Sequence, residues 1–290
     1  MTSRSQVRFA IGGVIVVLLV LFAEAIYAQS PRTQKIKLGS ETARNGFKNE
    51  DEIAAKFNNW KIDTDAQNWL NAMGYKAEDI QSVSASKPHG EKADVELRLE
   101  LIEKENLPQG RKDAKQAEYV EGISIKLVSS PNGFNQIDKR WLSHYARMWK
   151  MPAEVEQTLK LFVGENPPIK SGRAANRMFL DELDVTAQRA VTSFFETHKH
   201  DIVSDLFQGD GVHAAGWVMV AFKATANTRW TIRRVDDVVR FYSEGPVKIT
   251  FGGNLKVGRI TMQRKGGDGG RDTAKMLQFK INPVEILYEK

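Results

Sequence analysis

Polar and apolar residues alternate in two short stretches of the chain, residues 94–101 and residues 123–128. Successive side chains of a strand point to opposite faces, so this alternation predicts two half-buried strands. The same period places Ser124 and Lys126 on one face of the second strand. If the two strands pair, Asp94 shares that face.

Helical spacing of apolar residues predicts helices in other parts of the chain. Asp63 is placed to cap one helix that ends at Met73. The other predicted helices cover residues 41–60, 137–151, 154–162, 180–198, 201–207 and 235–242. Further strands are predicted at residues 216–222, 229–232, 247–251, 258–263 and 276–281. Helices that flank a mixed sheet indicate an α/β fold class.

Three aromatic residues in the predicted helix 137–151, at positions 141, 145 and 149, have the spacing of a core face. We expect them to pack in the core rather than to stack on bases. Segment 84–93 is polar, contains proline and glycine, and is predicted as a loop. Segment 103–118 contains proline, glycine and many charges, and is predicted as an exposed hairpin extension or a mobile loop.

The beginning of the chain differs from the rest. Arg4 and Arg8 precede an uncharged apolar run over residues 9–23, which is typical of a signal peptide or, read through to Ala28, of a membrane anchor. We therefore assign residues 1–32 to a signal peptide, a membrane anchor or a wrongly assigned N-terminal extension. Residues 33–290 are long and apolar enough to form a single domain.

Basic residues are concentrated near the C-terminus. Residues 221–280 contain 13 basic and 5 acidic side chains, a net charge of +8, whereas the whole chain carries +6. This region is therefore the expected phosphate-binding part, with salt-dependent affinity. The chain has no cysteine, which excludes disulfides and thiolate metal sites. Its five histidines show no zinc-ligand spacing beyond the pair His198 and His200, so zinc is not expected.

Asp94 and Lys126 together suggest phosphate chemistry. A carboxylate oxygen can bind a hard cation such as magnesium, and an ammonium group beside it can stabilise charge on a phosphate that is being cleaved. An acidic residue and a lysine on strands are common in charged proteins, so two solvent-facing side chains are the alternative interpretation.

Longer sequence words resemble those of the type II restriction endonucleases of the HinP kind, relatives of MspI that recognise GCGC. The words are residues 38–40, 45–50, 133–139, 260–268 and 276–280, in the same order as in that family. The resemblance implies a PD-(D/E)xK endonuclease fold, a mixed sheet flanked by helices, with Mg²⁺ as cofactor. It also implies cleavage of double-stranded DNA at a short palindrome.

The resemblance further implies a biological setting. A cytosine methyltransferase is expected as the functional partner, and the enzyme is expected to act as a monomer or as a dimer formed on DNA. The family is cytoplasmic, whereas the apolar N-terminal run favours an anchored or exported protein. A catalytically weakened DNA-binding relative and an exported nuclease of relaxed specificity stay open as alternatives.

Site residues follow from the resemblance position by position. Asp94 falls on the metal-binding aspartate of the family and Lys126 on its catalytic lysine. Ser124 stands where the family has glutamine or asparagine, and its hydroxyl is a weaker metal ligand than an amide carbonyl. Glu50 or Glu96 is the candidate to compensate as a metal ligand, the alternative for each being a solvated carboxylate.

DNA recognition is expected from two elements, residues 131–140 and 258–281. In MspI-like enzymes the Gln-Arg-Lys word reaches bases, so Gln263 and Lys265 are the first candidates for reading base edges. Arg264 and Arg271 are expected to bind phosphates. A second set of candidate readers follows Lys126 after a short turn: Asn135, Gln136 and Lys139.

Overall fold

The computed structural model describes residues 31–88, 92–102, 116–211, 213–223, 228–267 and 271–288. The chain divides into two compact units, Met1–Asn45 and Gly46–Lys290, and the fold given below is that of the second. The predicted signal or anchor segment and most of the predicted loop 103–118 lie outside the described residues. None of the helices described is long and apolar enough to cross a membrane.

Helices and strands follow one another along the described chain. The helices are α1 (Pro31–Asn58), α2 (Thr64–Ala72), α3 (Leu142–Met148), α4 (Ala153–Val163), α5 (Val185–Thr197), α6 (Lys199–Gln208) and α7 (Val235–Ser243). The strands are β1 (Ile80–Ser86), β2 (Val95–Ile102), β3 (Gln116–Val128), β4 (Asn135–Arg140), β5 (Trp217–Phe222), β6 (Arg229–Arg234), β7 (Lys248–Ile249), β8 (Leu255–Val257), β9 (Ile260–Arg264) and β10 (Leu277–Ile281). Short 3₁₀ helices cover Ala77–Asp79, Leu180–Glu182, Asp272–Lys275 and Pro283–Leu287.

The first sheet is mixed and has the strand order β1-β2-β3-β5-β6. Strands β3 and β5 are parallel, and the other neighbours are antiparallel. Val95, Leu97 and Leu99 of β2 alternate with polar residues and pack with apolar side chains of α1 and α2. The opposite face carries Val218 and Val220 of β5 into the larger core of the molecule. This mixed sheet flanked by helices confirms the predicted α/β fold class.

The second sheet is antiparallel and has the order β4-β10-β9-β8-β7. Leu277 and Phe279 of β10 and Met262 of β9 point into the larger core, which α4, α5, α6 and α7 also line. Polar residues occupy the alternate positions, so one face of this sheet is apolar and the other polar. A single mixed sheet was predicted, and that prediction was incomplete.

The predicted helix 137–151 is wrong in its first part. Residues up to Arg140 form β4, which pairs with β10, and α3 begins only at Leu142. The spacing of the aromatic residues indicated a helix, but the residues that precede α3 pair with the backbone of β10 instead. Tyr145 and Trp149 are buried in the core as predicted, and Trp149 Nε1 donates to Asp205 Oδ2 at 2.8 Å.

Two other predictions concern the region before β2. The predicted cap is confirmed, because Asp63 Oδ1 accepts a hydrogen bond from the Ala66 backbone N–H at 3.0 Å. The predicted loop 84–93 begins too early, since β1 continues to Ser86 through its pairing with Glu96 on β2.

Candidate active site

Asp94 lies at the entry to β2, directly beside β3. Its backbone N–H donates to the carbonyl oxygen of Ile123 at 2.9 Å. Its carboxylate Oδ2 accepts hydrogen bonds from the backbone N–H of Ile125 at 2.6 Å and from the hydroxyl of Ser124 at 3.3 Å. Because the ladder pairs Val95 with Ile123, the next position brings Asp94 opposite Ser124 on the same face.

Lys126 reaches the same point from β3. Its Nζ lies 3.6 Å from Asp94 Oδ2 and donates to Ser124 Oγ at 2.9 Å and to the Ile125 carbonyl oxygen at 3.0 Å. The Lys126 side chain is only 13% exposed, so these contacts hold the ammonium group in one place. The structure thus brings together the three residues on which the sequence analysis centred.

Of the two candidate extra ligands, Glu50 is the one beside Asp94. Burial raises the pKa of Glu50, and the charge of Asp94 raises it further against the opposing effect of Lys87, whose Nζ lies 3.1 Å from Glu50 Oε2. Glu96 shares the Asp94 face but is already engaged. Its carboxylate is 2.7 Å from His213 Nδ1 and 3.1 Å from an Arg98 nitrogen.

A magnesium ion fits the donor atoms of this site. In the described part of the chain, Asp94 Oδ1 accepts no hydrogen bond, and no group of three or more acidic, histidine or cysteine side chains forms a ready metal cluster. Mg²⁺ is usually held by one or two carboxylates while keeping several waters and binding substrate phosphate. Asp94 and Glu50 provide two carboxylates of this kind, whereas the Ser124 hydroxyl is already hydrogen-bonded to Asp94 and Lys126.

A row of polar side chains crosses the second sheet. Lys139 on β4 pairs with Gln278 on β10, and Gln278 pairs with Gln263 on β9. Because the neighbouring Leu277 and Phe279 point into the core, the row lies on the other, polar face. The predicted readers Lys139 and Gln263 therefore share one surface. Gln278 was not predicted, although its place between two apolar residues on a predicted strand is the signal that would have found it.

Gln136 lies on the same face, because it pairs with Lys280 two positions along β10. Lys265 follows directly after β9, and its backbone N–H donates to the Met276 carbonyl oxygen at 2.8 Å. Gln136 and Lys265 thus extend the surface that carries Lys139 and Gln263, which we call the polar face. Gln278 lies between these two residues and is only 4% exposed.

The remaining predicted DNA contacts lie elsewhere. Asn135 uses its side-chain amide to bind the Leu127 carbonyl oxygen at 3.0 Å, which ties β4 to β3. Arg264 alternates with Gln263 and points to the opposite side of the sheet. Arg271 is exposed and precedes the 3₁₀ helix that leads to β10. Asp268 and the two glycines after it lie outside the described residues.

Comparison with known proteins relates this architecture to a family. The family model of the R.HinP1I restriction endonuclease matches residues 73–287, which include every described strand of both sheets. The restriction endonuclease MspI, crystallised with its cognate DNA, is similar with a TM-score of 0.54 over 80% of this chain and 87% of that chain. At 14% sequence identity, this similarity shows the fold alone. Among curated proteins none matches the sequence significantly. Since the family model covers most of its length, the chain belongs to the R.HinP1I restriction endonuclease family.

Proposed function

We propose that this protein is a type II restriction endonuclease that uses magnesium to hydrolyse one phosphodiester bond in each strand of a short palindrome, GCGC. Its family makes it a site-specific DNA endonuclease. The observation that carries the proposal is the 3.6 Å contact between Asp94 Oδ2 and Lys126 Nζ on one face of the mixed sheet. The proposed target sequence, GCGC, is inferred from the segments of this chain that resemble the restriction endonucleases of the HinP kind.

The chemistry follows from the atoms around Lys126. Hydrolysis adds water to the phosphorus and breaks one P–O bond, with a proton of the water ending on the leaving oxygen. The ammonium group of Lys126, fixed by Ser124 Oγ and the Ile125 carbonyl, is placed to orient the attacking water and to stabilise negative charge on the phosphate. Magnesium held by Asp94 and Glu50 would supply Lewis-acid polarisation of the phosphate.

Base recognition is assigned to the polar face. Lysine can bind guanine edges in the major groove, the side-chain amide of glutamine offers both a donor and an acceptor to base edges, and GCGC presents guanine in both strands. Lys139 on β4 and Gln263 on β9 lie in one row of this surface with Gln278 between them, and Lys265 follows directly after β9. This arrangement supports a groove-reading role for the second sheet, with the first sheet carrying the cleavage site.

Digestion of plasmid DNA with magnesium tests the proposal. The wild type should give discrete fragments whose ends read GCGC, and Lys126→Ala should cut at least about a hundredfold more slowly while still binding DNA. Lys170→Ala is the matched control, because Lys170 is exposed and forms no ion pair within the described chain. A lack of discrete fragments, or equal rates for Lys126→Ala and the wild type, would contradict the assignment.

Ser124 motivates a second candidate, a DNA-binding relative with weakened catalysis. Its hydroxyl is a poor replacement for an amide ligand and is already hydrogen-bonded to Lys126 and Asp94. Salt-sensitive binding without cleavage at any magnesium or manganese concentration would favour this candidate. A smear of random fragments, with processed protein recovered outside the cytoplasm, would instead favour an exported nuclease of relaxed specificity.

The proposed activity implies a partner and a location. A nuclease that cuts GCGC needs a cytosine methyltransferase to protect the DNA of its own cell, and both would then work in the cytoplasm. A methyltransferase gene beside the gene of this protein, whose product blocks cleavage when it methylates the plasmid, is the expected finding. Whether the enzyme binds DNA as a monomer or as a dimer is measured by its sedimentation on a single-site duplex.

A further inference from the structure

Arg264 is a half-buried arginine whose Nε–H is an unused hydrogen-bond donor. It is the last residue of β9, next to Gln263 and Lys265, but it points away from the polar face. Its Nε–H is buried and has no hydrogen-bond partner within the described chain. A buried N–H of a charged group that lacks an acceptor is costly, and an oxygen atom of a bound ligand can supply the missing acceptor.

A second arginine, Arg177, lies near Arg264 on the segment between α4 and α5. This segment runs along the end of α4, where the Met178 backbone N–H donates to the Leu161 carbonyl oxygen at 2.9 Å. Helix α4 in turn packs against β9, the strand that ends in Arg264. The guanidinium carbon of Arg177 lies 4.0 Å from the ring centre of Phe179, which fixes the plane of the guanidinium group.

The carboxylates of this region already serve another arginine. Glu182 Oε1 lies 3.1 Å from Arg173 Nε, and Asp181 also pairs with Arg173. Neither Arg177 nor Arg264 forms an ion pair with a described carboxylate. Burial lowers the pKa of both arginines, and the charge of Arg264 lowers the pKa of Arg177 further against the opposing effect of Glu182. The two guanidinium groups repel each other and neither forms an ion pair with a described carboxylate, which favours an anion between them.

We propose that Arg177 and Arg264 together bind one phosphate of the DNA backbone beside the recognition sequence. The arginine fork matches phosphate oxygens, and phosphate contacts fix the register in which neighbouring side chains meet the bases. The position of Arg264 between Gln263 and Lys265 makes the DNA backbone the expected source of that phosphate. This inference rests on the proposed function, and it adds a residue, Arg177, that lies outside both predicted recognition elements.

Salt dependence of binding gives the first test. The double variant Arg177→Met/Arg264→Met should bind cognate and non-cognate duplexes more weakly by the same factor, about tenfold. Its plot of log K against log salt should be about one unit less steep than that of the wild type. Arg189→Met is the control, because Arg189 is exposed on α5 and forms no ion pair within the described chain. An unchanged slope in the double variant overturns the proposal.

A duplex series with single neutral methylphosphonate groups gives the second test. At one backbone position, the neutral methylphosphonate should weaken DNA binding by the wild type about tenfold and leave DNA binding by the double variant unchanged. The lysine variants Arg177→Lys and Arg264→Lys keep the positive charge and the fold. They should keep the wild-type slope of log K against log salt but bind the duplex more weakly, because lysine lacks the arginine fork that matches the phosphate at that position. If no position behaves in this way, the proposal is wrong. If inorganic phosphate raises the Tm of the wild type but not of the double variant, and no backbone position is coupled, the site binds free phosphate instead of DNA.

These outcomes are separate from those that test the proposed function. A wild-type protein that neither binds nor cuts DNA would contradict the endonuclease assignment itself. A wild-type protein that cuts GCGC, combined with a double variant of unchanged salt slope, would contradict only the assignment of Arg177 and Arg264.

Discussion

The ammonium group of Lys92 lies 3.3 Å from Asp138 Oδ2 and donates to the Ile137 carbonyl oxygen at 2.9 Å. Lys92 precedes Asp94 by two residues, and Asp138 belongs to β4, so this ion pair connects the entry of β2 to the second sheet. Asp138 also binds Arg140 Nε at 3.1 Å and the hydroxyl of Tyr145. One carboxylate thus joins the candidate active site to the strand that carries Lys139.

We predict that Asp138→Ala destabilises the fold more than Lys92→Met. Removal of the carboxylate leaves Lys92 and Arg140 without their partner and should lower the free energy of unfolding by about 3–5 kcal/mol. Lys92→Met leaves Asp138 with Arg140 and Tyr145 and should lower it by about 1–3 kcal/mol. Urea unfolding measures both, with Asp210→Ala as a control near zero, because Asp210 is exposed and forms no ion pair within the described chain. Equal losses for the two variants would rule out this hierarchy.

Gly122 on β3 allows the chain before β5 to approach the site closely. A Cβ at this position would lie 2.2 Å from the Ala214 carbonyl oxygen and 3.1 Å from Ala93 Cβ. We predict that Gly122→Ala lowers the free energy of unfolding by about 1–3 kcal/mol, because backbone has to move. Cleavage should also slow, because Ala93 directly precedes Asp94.

Gly216→Ala is the matched control for this substitution. A Cβ on Gly216 would meet its nearest neighbour, an oxygen of Glu121, at 3.5 Å, an ordinary contact distance. Thermal unfolding and plasmid cleavage of the two variants should differ clearly. A Gly216→Ala variant as unstable as Gly122→Ala would show that the close contact with Ala214 is not the cause.

The shared face of Asp94, Ser124 and Lys126 could be predicted because alternation within each strand fixes which side chains point the same way. Alternation does not specify strand partners, so the parallel pairing of β3 with β5 and the separate second sheet could not be predicted. The predicted helix 137–151 wrongly includes residues 137–140, because the aromatic spacing that follows them dominates the local pattern. Arg177 could not be found from the sequence, since only folding brings its segment beside β9.

The pKa of the Tyr145 hydroxyl leads to a prediction about alkaline stability. Burial raises this pKa above its usual value near 10, and the charge of Asp138 and their hydrogen bond raise it further. Above pH 10, the unfolded chain therefore loses this proton while the folded chain keeps it. The stabilisation is fully present below pH 10 and is lost as the pH rises further.

Tyr145→Phe removes this ionisation and should flatten the fall in unfolding free energy above pH 10. Urea unfolding at several values between about pH 8 and pH 11 measures the slope, and tyrosinate absorption follows the ionisation directly. The partly exposed Tyr119→Phe serves as the comparison. An identical slope in the wild type and Tyr145→Phe would count against the argument.

Variants of the polar face should lose discrimination between base pairs, whereas variants that lose a phosphate contact should bind all duplexes more weakly. Gln263→Ala and Lys139→Ala should each cost about 1–3 kcal/mol on the cognate site and relax specificity at one base pair, with little change in the salt slope for Gln263→Ala. Competition binding with duplexes carrying each single base-pair change makes the measurement. Uniform weakening on all duplexes by Gln263→Ala would assign that residue to the backbone instead.

Strands β2 and β3 pair from Val95 and Ile123 at one end to Ile102 and Gln116 at the other. At about 3.3 Å per residue, the far end lies about 25 Å from Asp94. Residues 103–115 connect Ile102 to Gln116 in the sequence, so their number has no influence on the spacing of Asp94 and Lys126. A fluorophore or affinity tag attached to one of these residues should therefore leave the geometry around Asp94 and Lys126 unchanged.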